Sequence, residues 1–243
     1  MPAPTVVELL WGTGRQAKRG PKPSLSLEAI VGAAIELADA EGLAGVSMQR
    51  VAERLGYTKM SLYRYVPGKA ELAALMLEQA LGAPPDIAAA QEVSEEPPWR
   101  AGLRRWTEEI FRRYRAHPWA LELSTGIRPM GPNELGWLEA ALSAMAGIGL
   151  TGPERLDTVV VLNGHVRSLA LQSVGTPGDG MEERLMRQMA EVMEAAGDRY
   201  PEVAAAMSEQ AGGASARDDA LNFGIDRILD GLQALVDRRA NSR

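Results

Sequence analysis

A chain of 243 residues, 46% of them hydrophobic, holds enough apolar material for one sizeable domain or two smaller ones, which excludes a largely disordered protein. It has no cysteine, so disulfides, thiolate metal sites and a cysteine nucleophile are excluded, as suits a reducing compartment. The net charge of −6 argues at first against nucleic acid, yet the charge is unevenly placed. Residues 1–82 carry nine Lys/Arg against eight Asp/Glu, and residues 83–243 carry 17 against 24. The stretch from Arg15 to Lys69 contains all nine of the early bases and only five acids, Glu28, Glu36, Asp39, Glu41 and Glu53. A locally basic head on an acidic body is expected where one part meets phosphate and the other keeps the protein soluble.

Val6 to Trp11, followed by Gly12-Thr13-Gly14-Arg15-Gln16-Ala17, looks like a strand leading into a dinucleotide fingerprint. Gly20, Pro21 and Pro23 forbid the helix that such a fingerprint requires, and no βαβ pattern follows, so a nucleotide site is rejected. Residues 1–24 are read as a flexible basic arm. Its Arg15, Lys18, Arg19 and Lys22 alternate with glycine and proline and suit an extended segment in a minor groove, although a solvated leader fits the same composition.

From Leu25 on, Ala, Leu, Glu, Arg and Met dominate and no alternating β pattern develops, which predicts an all-α protein. Ser26 can cap a helix over Leu27–Glu41 that Gly42 stops, with Leu27, Ile30, Val31, Ala34, Ile35 and Ala38 on one face. Ser47 can cap a short helix reaching Leu55, Gly56 supplies a tight turn, and Thr58 can cap a third helix, Lys59 to Val66. Pro67-Gly68 separates it from a fourth, Lys69 to about Leu81. Gly82 to Pro98 is rich in proline and acid, and the domain joint is placed there: 25–82 form the head, 83–243 the body. Beyond the joint, helices are expected at Trp99–Ala116, Trp119–Ser124, Asn133–Gly147, Pro153–Val174, Met181–Ala196, Pro201–Gln210 and Ala216–Arg239, divided by Pro/Gly breaks. No apolar run has the length of a membrane span and no signal peptide is evident, so a soluble, cytoplasmic protein without a membrane partner is expected.

Two short helices joined across Gly56, the second apolar beneath and polar above, have the geometry that seats a recognition helix in the major groove of double-stranded DNA. Lys59, Met60, Ser61, Tyr63 and Arg64 lie on the upper face. Lys59 and Ser61 can reach base edges, while Tyr63, Tyr65 and Lys69 suit phosphate. A small helical bundle with merely solvated charges would show the same pattern.

The residues Gly42-Leu43-Ala44-Gly45-Val46-Ser47-Met48-Gln49-Arg50-Val51-Ala52, then Leu62-Tyr63-Arg64-Tyr65-Val66-Pro67-Gly68-Lys69-Ala70-Glu71-Leu72, closely resemble the DNA-binding domain of the TetR/AcrR repressor family. The resemblance implies an N-terminal three-helix helix-turn-helix domain plus a larger C-terminal helical domain for ligand binding and dimerisation. It implies base-facing roles for Lys59, Met60, Ser61 and Arg64, and DNA-backbone contacts for Ser47, Gln49, Tyr63, Tyr65 and Lys69.

The body resembles, more loosely, the C-terminal domain of tetracycline repressors, through Arg128-Pro129, Leu138-Glu139 to Gly149, Gly164-His165 and Phe223-Gly224-Ile225-Asp226. Ser124 stands where those repressors hold their metal-drug complex with a histidine, and an assisting carboxylate falls near Ser173, so no metal and no cofactor are expected. Candidate ligand contacts are Trp106, Ile110, Tyr114, His117, Arg128, Trp137, Asn163, His165, Gln172, Met186 and Met189, aromatics and methionines with sparse polar groups that suit an amphipathic or aromatic effector. Each also fits plain core packing.

In the last helix Leu221, Gly224, Ile225, Ile228 and Leu232 belong to a broad apolar stripe. Periodicity alone suits an ordinary core helix, whereas the resemblance implies a homodimer interface shared with the helix from Pro153. The expected function is ligand-responsive repression by a homodimer on a near-palindromic operator. Enzyme chemistry has no motif in its favour, there being no nucleophile signature, no H-E-x-x-H and no P-loop. A helical ligand-binding protein without DNA binding is the other reading.

Overall fold

The computed structural model describes residues 4–13, 25–89, 95–173, 181–211 and 216–241. Every regular element among them is helical: α1 Val6–Leu10, α2 Leu27–Glu41, α3 Met48–Leu55, α4 Lys59–Leu62, α5 Lys69–Leu81, α6 Pro98–Ala116, α7 Ala120–Leu123, α8 Pro132–Ala144, α9 Gly152–Ser173, α10 Met181–Ala196, α11 Pro201–Ala211 and α12 Ala216–Ala240. None of these helices is long and apolar enough to cross a membrane.

The head is built by local capping. Ser26 accepts from Ala29 N at 3.2 Å, Ser47 from Arg50 N at 3.2 Å and Thr58 from Ser61 N at 3.3 Å, satisfying the first free amides of α2, α3 and α4. Gly56 takes φ 74° and ψ 26°, the left-handed conformation that lets Tyr57 N return to Ala52 O at 2.9 Å and turns the chain from α3 into α4. Ile30, Ala34, Val51, Ala52, Leu62 and Val66 close the small core beneath.

Two expectations change. Helix α4 ends at Leu62 rather than Val66, because Pro67 disfavours α geometry in the residue before it and Tyr65 N closes a tighter turn on Leu62 O at 2.9 Å. The stretch that looks like a strand, Val6 to Leu10, is a helix held by a capping box, with Thr5 N donating to Glu8 at 2.8 Å and Glu8 N to the Thr5 hydroxyl at 3.2 Å. It packs on α5 with Leu10 buried, so the part of the expected flexible arm that is described is docked.

Helix α5 joins head to body. One side meets α1 and α2 and the other meets α6, α7 and α8, and the buried side chains form one continuous cluster from Ile30 through Met76 and Trp106 to Leu229. In the body α6 lies against α8, α9 and α12, and α9 against α12. Arg100 and Arg104 of α6 reach Asp230 at 2.7 Å and Asp226 at 2.6 Å on α12, and Glu154 of α9 pairs with Arg239 of α12.

Candidate DNA-binding site and its attachment to the body

Helix α4 is only four residues long, and its position is set by Leu62, wholly buried, on one side and by the Thr58 cap at its start. The opposite side carries Lys59, Met60, Tyr63 and Arg64, all exposed, with Ser61 half-buried. The Lys59 ammonium lies 5.5 Å from the centre of the Tyr63 ring, within cation–π range. The Ser61 hydroxyl sits 2.9 Å from that of Thr58.

The charges of the head sort themselves by face. Arg50 pairs with Glu41 and donates to Gly45 O at 2.9 Å, Arg54 pairs with Glu36 at 2.6 Å, and Glu53 accepts from Gln49 at 2.6 Å. The Arg50 guanidinium holds the Glu41 carboxyl below its ordinary value. Among the described residues Lys59, Arg64 and Lys69 have no carboxylate partner. Glu36, Glu41 and Glu53 are thus taken up by Arg54, Arg50 and Gln49, and the free cations lie on and beside α4, where phosphate would be met. Lys69 opens α5, with six residues between it and the end of α4, and Tyr65 is half-buried against the core. The Ser47 hydroxyl accepts the α3 cap bond and keeps its O–H to donate, and Gln49 gives one of its two amide N–H groups to Glu53. Arg15, Lys18, Arg19 and Lys22 lie outside the described residues.

Among the described residues, polar contacts that the sequence does not disclose fasten head to body. One carboxylate oxygen of Asp39, in the last turn of α2, receives both His117 Nδ1 at 2.8 Å and Trp119 Nε1 at 2.6 Å from the turn before α7. Glu78 of α5 caps α8, accepting from Asn133 N at 2.5 Å and Glu134 N at 3.3 Å, while Asn133 Nδ2 donates to Glu78 O at 3.0 Å. Burial nevertheless pushes the Glu78 carboxyl up, outweighing those two amides. Trp11 Nε1 donates to Met130 O at 3.1 Å, tying α1 to the same loop. An isolated acid on a helix gives no sequence signal for such contacts, and only exposed or unpaired tryptophans hint at them.

The candidate ligand residues fall into separate places. Trp106 and Trp137 are buried edge to face, ring centres 6.0 Å apart, with Trp106 Nε1 donating to Trp137 O at 2.8 Å and Trp137 Nε1 to Gly82 O at 2.9 Å. Ile110 and Tyr114 are buried beside them, and Arg128 is clamped by both oxygens of Glu134. His117 belongs to the Asp39 contact. His165 Nε2 donates to Leu221 O at 3.1 Å. Gln172 is exposed, Met189 lines an open cleft between α10 and α11 with Met193 and Met207, and the Met186 side chain lies outside the described residues. Ser124 receives Arg167, so the position compared with a metal-binding histidine is occupied by a cation.

The residues expected at a dimer interface divide between inward and outward positions of α12. Leu221 and Ile225 are buried within the subunit's own core, and any side chain on Gly224 would strike the His165 ring of α9. Leu221 and Ile225 thus pack α12 inward, whereas Gly224, Ile228 and Leu232 are half-buried.

A rigid helix-turn-helix head fastened to an all-helical body defines the class of one-chain transcriptional regulators with a DNA-reading and a regulatory part. Residues 30–76 match the family described as bacterial regulatory proteins, tetR family, and residues 93–236 match the tetracycline repressor-like C-terminal domain. The chain belongs to the TetR family. It is similar to the HTH-type transcriptional repressor DrrR1 of Streptomyces coeruleorubidus, 41% identical over 247 residues that cover 96% of this chain and 86% of the relative. An HTH-type transcriptional regulator of Saccharopolyspora erythraea is 31% identical over 75% of each chain. Among solved structures, apo ActR from Streptomyces coelicolor shares the fold, with a TM-score of 0.71 at 23% identity, covering 89% of this chain and 98% of that one.

Proposed function

We propose that the protein is a ligand-responsive transcriptional repressor that binds a near-palindromic operator as a homodimer and is released by a small amphipathic or aromatic effector. The observation that carries this reading is the outward face of α4, with Lys59, Met60, Ser61, Tyr63 and Arg64 presented by a capped, buried-side-anchored helix and with its cations free of carboxylates. The 41% identical relative named a repressor supports the direction of control.

A second copy is supported by the side of α9 turned away from the core. Leu156, Val160 and Leu171 are exposed there at helical spacing together with Gly164 and Phe223 of α12, an apolar surface that a single subunit leaves uncovered. The effector is supported by three buried polar atoms of the body that have no hydrogen-bond partner among the described residues, Arg128 Nε, Arg155 Nε and Asn163 Oδ1, two of them on candidate ligand residues. A ligand that satisfies them favours one arrangement of the body, and Asp39 and Glu78 carry that arrangement to the head. The coupling is reciprocal, so DNA must weaken the effector by the same factor.

The test is fluorescence anisotropy with duplexes enriched from a random library and with the DNA flanking the gene. Saturable, sequence-preferring binding that weakens steeply with salt, at two subunits or a multiple per site, is expected. Binding that is indifferent to both sequence and salt would falsify the reading.

A further inference from the structure

We propose that Met60 reads the C5 methyl of a thymine in each operator half-site. The inference rests on the DNA-binding role of α4 and assigns a base chemistry to one of its positions.

Met60 is 71% exposed, the most exposed large apolar side chain in the head among the described residues. Nothing in the fold explains that exposure. Leu62, two residues on, is buried completely and anchors the helix, so the core does not need a second apolar residue here. Its neighbours on this face are polar: the Ser61 hydroxyl is paired with Thr58, and the Lys59 ammonium, over the Tyr63 ring, keeps its N–H donors for phosphate or base acceptors. Between them α4 offers an unbranched thioether ending in a methyl group, polarisable and able to adapt its three torsions to a surface. In the major groove the only apolar group on a base edge is the thymine methyl, and apolar side chains distinguish thymine through it. A cytosine at that place offers only a C5–H and loses the methyl contact, and a purine sets its N7 acceptor against the thioether.

The experiment uses the full-length protein and the duplex that it enriches from a random library. Each thymine is replaced singly by deoxyuridine, which lacks only the methyl. At one thymine per half-site, affinity is expected to fall about fourfold, the partition value of one buried carbon, and about fifteenfold when both half-sites are changed. Met60→Gln, of similar length but polar, is expected to bind the thymine and uracil duplexes equally, and Met60→Leu to keep the preference. Since the side chain is exposed, both variants are expected to melt as the parent does, checked by circular dichroism. Uracil tolerated at every thymine, or Met60→Gln discriminating as well as the parent, overturns the proposal while leaving DNA binding intact. Failure to enrich any sequence overturns the DNA-binding reading and this proposal with it.

Discussion

Replacing Asp39 with alanine measures how firmly the head is held to the body. Its carboxylate receives Trp119 Nε1 at 2.6 Å and His117 Nδ1 at 2.8 Å, one contact deep and one shallow. Trp119 is only 6% exposed, so its indole N–H has no water to turn to, and a bond to a charged acceptor in that setting is worth about 1.5 kcal/mol. The His117 and Asp39 side chains are 24% and 35% exposed, which brings their pairing down to about 0.5 kcal/mol. Asp39→Ala is therefore expected to cost about 2 kcal/mol, and Asp39→Asn, which keeps an oxygen but not the charge, about half of that. Urea unfolding followed by tryptophan fluorescence and by far-ultraviolet circular dichroism gives both values, with an unchanged dependence on denaturant expected. If Asp39→Ala lies within about 0.5 kcal/mol of the parent, or asparagine costs as much as alanine, the contact does not join the two parts as argued.

Two further perturbations test single elements. Gly56→Ala meets no atom within 4 Å, so its cost is the left-handed backbone alone, about 1–2 kcal/mol, read as a fall in Tm of about 2–8 °C; Gly56→Asn is expected to fall less, and an unchanged Tm for alanine would contradict the turn. Hydrogen bonds from Arg239, then from Thr151, hold the Glu154 carboxyl down to about 2, below its ordinary 4.5. The contribution of Glu154 is present above pH 4.5 and lost as the pH falls toward 2, so the parent is expected to be more stable than Glu154→Gln near neutrality, with the gap closing in acid. Chemical unfolding across that range decides it, and a gap of constant size counts against the ion pair.

What the sequence disclosed was local. Ser26, Ser47 and Thr58 as caps, and Gly42 and Gly56 as stops, are decisions made within four residues of chain, and α2 and α3 begin and end, and α4 begins, where those residues place them. Helix α1 escaped because Val6-Val7-Glu8-Leu9-Leu10 is too short to show a period and its capping pair, Thr5 and Glu8, precedes residues that look β-prone. The outward face of α4 was legible through the buried Leu62 and Val66, which fix its phase. Asp39, Glu78 and Trp11 were not, because each meets a partner between 55 and 119 residues away and no pattern of neighbouring residues records such a meeting.

Apolar periodicity says that a face is covered without saying by which chain. On α12 the stripe containing Leu221, Ile225 and Leu229 is wide enough to suggest a partner subunit, yet α9 of the same subunit consumes it. The surplus appears instead on α9. That helix buries Leu162, Val166 and Ala170 on one side and exposes Leu156, Val160 and Leu171 on another, and Val160 is 69% in solvent. A helix apolar on both sides has no phase in its sequence, since every register places apolar residues inward. Only after the inner side has been assigned by packing does the outer one become a surface without an owner.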